Sequence, residues 1–168
     1  MINIVGSIIL ALTITATGFY AAAAANKRVK LLECCIGLIR YISLEIDYCS
    51  ETVFTIIEKA SVLKQFEELT FLKEIDNSKE ADFSFLWSDA IDRFLHKSHL
   101  KYSDAELLKS FGEKLGTTDS FHQTQLCVEY IKQFEECYEK RKGKLPEHIR
   151  LCRVGGVTLG LAVLIILL

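Results

Sequence analysis

Two imidazoles, two carboxylate pairs and six thiols are the residues of this 168-residue chain whose types suit chemistry. His96 and His99 stand at i, i+3, which puts two nitrogens on one side of a helix as half of a zinc site. No cysteine or acidic residue accompanies them at a recognisable ligand spacing. They also sit where a helix ends, and cationic side chains favour that end of the backbone dipole. Glu67-Glu68 and Glu135-Glu136 are adjacent in sequence, so on a helix their carboxylates diverge by about 100° and neither pair shares a substrate easily. The cysteines, at 34, 35, 49, 127, 137 and 152, include no C-x-x-C spacing. They read as reduced packing residues rather than as disulfides or zinc ligands. No phosphate-cradling glycine loop and no nucleophile motif is present. The expectation is a protein that is not an enzyme, with no catalytic residue, cofactor or metal.

What must position the rest of the chain is its two apolar ends. Residues 1–26 carry no charge and are apolar through Ile4, Ile8, Ile9, Leu12, Ile14 and Phe19, long enough for a tilted membrane helix. Residues 154–168 are a second uncharged run of 15 residues. As a helix that run extends about 22 Å, short against a hydrocarbon core of about 30 Å. Ala22 and Ala24 offer a signal-peptide cleavage spacing, but the cations follow the apolar run instead of preceding it, which favours an uncleaved anchor. Gly155, Gly156 and Gly160 allow close helix packing in the second segment.

Charge gives the sidedness. Lys27, Arg28, Lys30 and Arg40 follow the first segment; Lys140, Arg141, Lys142, Lys144, Arg150 and Arg153 precede the second. Cationic flanks stay cytoplasmic, so the central domain is expected in the cytoplasm with both termini on the far side. Residues 45–136 hold 10 basic and 19 acidic residues, net −9, while the remainder holds 10 and 3, net +7. A basic base suits anionic membrane lipid, and an acidic body suits a basic partner, with Glu67, Glu68, Glu74 and Asp76 the candidate patch. That sign is wrong for nucleic acid.

With one proline and nine glycines, helices are favoured over a turn-rich β fold. A long helix runs to Cys49, with Leu31, Cys35, Leu38, Ile42 and Cys49 on one stripe. Ser50 is read as the N-cap of a short helix over residues 51–59. Another helix starts at Ser61 with Leu63, Phe66, Leu69 and Leu72 on one side. A fourth covers residues 82–96, with Phe85, Leu86, Ala90, Phe94 and Leu95 as its apolar face and Trp87 as anchor. Ser103 and Glu106 form a capping box for a fifth. The last, long helix carries Cys127, Ile131, Phe134 and Tyr138, and should pair antiparallel with the first. Gly143 and Pro146 are expected to interrupt it as a hinge. The fold expected is all-α: an antiparallel cytoplasmic helical bundle of about six helices (residues 27–149) flanked by two transmembrane helices (1–26 and 150–168).

Phe111, Gly112, Leu115, Gly116, Asp119 and Gln123 give a phenylalanine-glycine pair, a leucine-glycine pair, an aspartate and a glutamine at fixed spacing. With the Gly155-Gly156 pair and Leu44-Glu45-Ile46-Asp47-Tyr48 closing the first long helix, the chain resembles the stage III sporulation protein AB family nearly end to end. Physically, Gly112 admits a close neighbour, Gly116 takes a left-handed cap, Asp119 caps the next helix, and Gln123 bonds back to the loop. The resemblance implies a mother-cell membrane protein of the channel complex joining mother cell and forespore, similar to F-type platform proteins of type II secretion. The implied partners are a cytoplasmic secretion-type ATPase, other channel subunits and membrane lipids, with a homo-oligomer left open. A membrane-anchored ligand-sensing bundle is the alternative from another functional class.

Overall fold

The computed structural model describes residues 2–49, 51–75 and 82–167. Five α-helices account for nearly all of them: α1 (Ile2–Cys49), α2 (Val53–Val62), α3 (Phe83–Lys97), α4 (Tyr102–Lys114) and α5 (Ser120–Leu167). No strand occurs among the described residues, so the chain is all-α. Two 3-10 segments, Lys64–Phe66 and Thr70–Glu74, lie between α2 and α3.

The stretch after Ser61 is therefore not the α-helix expected, and among the described residues the bundle of about six helices has one fewer. The reason is visible in the spacing of Leu63, Phe66, Leu69 and Leu72, which is a strict three, the period of a 3-10 turn. Each of these residues donates its N–H three residues back: Leu63 to Ala60 O (3.1 Å), Phe66 to Leu63 O (3.0 Å), Leu69 to Phe66 O (2.9 Å) and Leu72 to Leu69 O (3.1 Å). The stretch thus turns three times and still buries Phe66, Leu69, Phe71 and Leu72.

Other local expectations change too. Thr52, in extended conformation, is the N-cap of α2 and its Oγ1 accepts from Thr55 N–H (3.4 Å); Ser50 lies outside the described residues. The capping box at Ser103 and Glu106 does not form. Lys101 is the N-cap of α4, and the Ser103 hydroxyl bonds to Asp104 instead (3.2 Å). Phe85 is 64% exposed, because the buried stripe of α3 is Leu86, Trp87, Ala90, Ile91 and Phe94 and Phe85 projects about 200° away from Trp87. Cys49 is exposed at the end of α1. On α5 the buried stripe is Cys127, Tyr130 and Phe134, with Ile131 and Tyr138 at its edge.

No break occurs at Pro146, which lies inside α5. A proline removes one hydrogen bond and its ring crowds the preceding turn. Here the ring is exposed, and nothing lies close to Gly143.

The chain divides into two compact units, one of Met1–Val29 with Lys140–Leu168 and one of Lys30–Glu139. The second is the helical body. Its core is strongly aromatic: Phe71 meets Trp87 edge-on (5.3 Å, 87°) and Phe94 (5.4 Å), and Trp87 meets Phe83 (5.5 Å) and Phe111 (6.2 Å). Within the body α1 and α5 run antiparallel, tied by the Arg40–Glu135 ion pair. The first unit contains the apolar stretches of the same two helices. Among its described side chains, Ile8, Ile9, Leu12, Leu159, Ile165 and Ile166 are exposed.

Candidate functional site

The turn from α4 to α5 gathers all six residues of the glycine-aspartate-glutamine pattern. Helix α4 ends as Leu115 turns extended, its N–H shared between Phe111 O (3.1 Å) and Gly112 O (3.3 Å). Gly116 then takes φ 84°, the left-handed conformation that an L side chain resists. Its N–H donates to Gln123 Oε1 (3.3 Å), while Gln123 Nε2 donates to Thr118 O (2.5 Å). One side chain from the first turn of α5 thus clasps both sides of the loop. Asp119 caps α5, since its Oδ1 accepts the His122 N–H (2.9 Å) and its carbonyl accepts from Gln123 (3.0 Å). The His122 N–H, with the imidazole beside it, holds the Asp119 carboxyl below its ordinary range.

Inward of the turn, Phe111 and Leu115 are buried, and Phe111 lies 5.3 Å from the Tyr130 ring. Gly112 is a seat for a side chain: a Cβ there would fall inside the Trp87 indole. Trp87 is fully buried and its Nε1 donates to Leu108 O (2.8 Å). Ser110 and Tyr130 close the same region through a hydroxyl pair at 2.7 Å. The arrangement fixes how α3, α4 and α5 meet.

The four carboxylates of the acidic patch are not alike. Glu67 is exposed. Glu68 pairs with Lys30 (2.7 Å) and Glu74 with Arg93 Nε (2.7 Å). Asp76 lies outside the described residues. Elsewhere single cations clamp two acids each: Arg93 also holds Asp89 (2.7 Å), Lys109 holds Asp92 (2.6 Å) and Glu106 (3.2 Å), and Lys59 holds Glu51 (2.7 Å) with Glu45 further off (3.9 Å). Of the five basic flanking residues, Lys27, Arg28, Arg150 and Arg153 belong to the unit with the apolar stretches. Lys30 belongs to the body, where the Glu68 hydrogen bond raises its pKa.

The family model for stage III sporulation protein AB matches residues 3–168. The chain belongs to the stage III sporulation protein AB family. Membership carries a sporulation-related role for this chain. Searches of curated proteins and of solved structures returned no match.

The other groups suited to chemistry are scattered in this family member. His96 lies in the last turn of α3 and His99 just beyond it. Among the described residues no three histidine, cysteine or acidic side chains gather in a cluster that would hold a metal ion. Cys35 and Cys127 are buried, and burial pushes the Cys35 thiol well up and that of Cys127 up to about 11. Sequence reasoning missed the Trp87–Leu108 bond, the Ser110–Tyr130 pair and the acids that single cations share. The i−4 and i−3 partners, Asp89 for Arg93 and Glu106 for Lys109, were legible from spacing; Glu74 and Asp92 come from other elements and were not.

Proposed function

We propose that this family member is a non-enzymatic membrane platform or adaptor of the mother cell–forespore channel complex, coupling a cytoplasmic secretion-type ATPase to the channel. The observation that carries the membrane part is the state of its two apolar helices. Both are long enough to cross a bilayer, and only 6% of the most apolar window of each is buried. Such surface needs a lipid solvent, because an exposed apolar area of that extent is not left in water. The cationic flanks set the body in the cytoplasm, on the mother-cell side, and the two termini across the membrane. A reporter fused after Leu168 that scores as cytoplasmic overturns this topology.

The adaptor part is supported by family membership and by the build of the body. The body holds a closed aromatic core and a rigidly clasped α4–α5 turn, features that present a surface. The ATPase contact is placed on the acidic side around Glu67, Glu68, Glu74 and Asp76, and self-association into a homo-oligomer is compatible with it. The test is co-isolation of the ATPase with full-length protein carrying Glu67→Lys, Glu68→Lys, Glu74→Lys and Asp76→Lys. Loss of the ATPase with membrane integration intact is expected; undiminished recovery overturns the patch.

A further inference from the structure

Within the unit of Met1–Val29 and Lys140–Leu168, the antiparallel register of α1 and α5 is fixed by backbone contact. A Cβ at Gly18 would collide with the Cys152 carbonyl. Thr15 Oγ1 lies 3.5 Å from Gly156 O, and a Cβ at Gly160 would come within 2.6 Å of Thr15 Oγ1 and 2.9 Å of Ala11 O. In this register Arg153 falls beside Phe19, and its guanidinium lies over that ring at 5.9 Å. Lys27, the first cation of α1, is eight residues further along, or about 12 Å at ~1.5 Å per residue. The first cation of one helix and the last of the other are therefore at different heights.

This mismatch decides where the lipid surface lies. Continued along the pair, the same register sets Asn26 opposite the neighbourhood of Pro146. A surface drawn where the uncharged stretch of α1 ends would submerge Glu147, Arg150 and Arg153, all of them exposed on α5. Hydrocarbon does not accept three lipid-facing charges on one helix. A surface drawn at Phe19 and Tyr20 submerges none of them. It gives the interface two exposed aromatics, as membrane boundaries favour, with Arg153 and, one turn above it, Arg150 among the phosphates. Below that level α1 has residues 2–18 and α5 residues 154–167, legs of about 26 and 21 Å. The five alanines at 21–25 lose little outside the hydrocarbon, since Ala22 is buried, Ala23 alone is exposed and the other three are half-buried small side chains, and alanine is the best helix former in water.

We propose that the helix pair engages the lipid headgroup layer through Phe19, Tyr20, Arg150 and Arg153, so that the alanine run stands above the hydrocarbon as a water-exposed helical stalk. The inference rests on the membrane reading above and moves its boundary by about two helical turns.

Ala16 and Ala23 test it, because both are exposed and seven residues apart they share one face of α1 at different heights. Nitroxide labels are placed at Ala16→Cys or Ala23→Cys in full-length protein with the six native cysteines replaced, reconstituted in vesicles of neutral and anionic phospholipid. Power saturation then compares collision with oxygen and with a water-soluble nickel chelate. Nickel accessibility at position 23 several-fold above that at position 16 is the expected result. Both positions shielded from nickel overturns the boundary and leaves the membrane reading standing; both accessible overturns the membrane reading as well. A second measurement keeps the native cysteines: Ala23→Lys should remain in the carbonate-resistant membrane fraction like wild type, while Leu12→Lys is lost from it. Equal loss of the two variants overturns the proposal.

Discussion

Replacing Gly112 by alanine pits two physical effects of opposite sign against each other. In a helix interior alanine is favoured over glycine by about 1 kcal/mol, so propensity alone predicts a more stable protein. The new Cβ, however, would overlap Cγ, Cδ1 and Nε1 of Trp87, a side chain with no exposed surface. The indole cannot swing away freely, because Phe71, Phe83 and Phe111 hold it. Overpacking of this kind costs about 1–3 kcal/mol. Any shift also loosens the bond from Nε1 to Leu108 O, and a buried donor left without its acceptor costs a further ~1–3 kcal/mol. The net expectation for Gly112→Ala is a destabilisation of about 2–4 kcal/mol, or a fall in Tm of roughly 10 °C. Trp87 is the single tryptophan in the chain, so its fluorescence reports the event directly. Thermal melts followed by far-ultraviolet circular dichroism, with Trp87→Phe in a double-mutant cycle, are the assay, and indole fluorescence is compared between wild type and Gly112→Ala. The smaller ring should relieve part of the overlap, giving a favourable coupling of at least about 1 kcal/mol. A Gly112→Ala protein as stable as wild type or more so, with unchanged fluorescence, would refute the account of this glycine as the seat of the indole.

Two further outcomes follow from the turn and from the buried thiols. Gly116→Ala forces a Cβ into the left-handed region at φ 84° and against Val53 Cγ2 at 3.3 Å, and should destabilise by about 1–2 kcal/mol, with Gly116→Asn losing less; equal melts for the two variants would count against it. For Cys127 the folded thiol is held up from 9.0 to about 11 by burial, so the unfolded chain releases its proton first as pH rises. Its contribution to stability is full below about pH 9 and declines toward pH 11. Chemical denaturation across that window should therefore fall less steeply in Cys127→Ala than in wild type, and identical slopes would reject the buried-thiol assignment.

The sequence by itself determined what depends on neighbours along the chain. Uncharged ends, the family's glycine-aspartate-glutamine spacing and the three- and four-residue apolar steps were enough for an all-α chain with two long apolar helices. The turn at Gly116, Asp119 and Gln123 was legible because its bonds all span seven residues or fewer. The strict three-residue spacing of Leu63, Phe66, Leu69 and Leu72 is also legible; it reads as a helix face but marks a 3-10 path. Tertiary structure alone decided matters in which a distant residue supplies the physics. Gly112 needs the indole of Trp87 from another helix. Glu68 and Glu74 are paired with Lys30 and Arg93, which come from other elements. The height of Arg153 was likewise hidden in a one-dimensional reading, because only the close approach of Gly18 to Gly156 fixes which residue of α1 it faces.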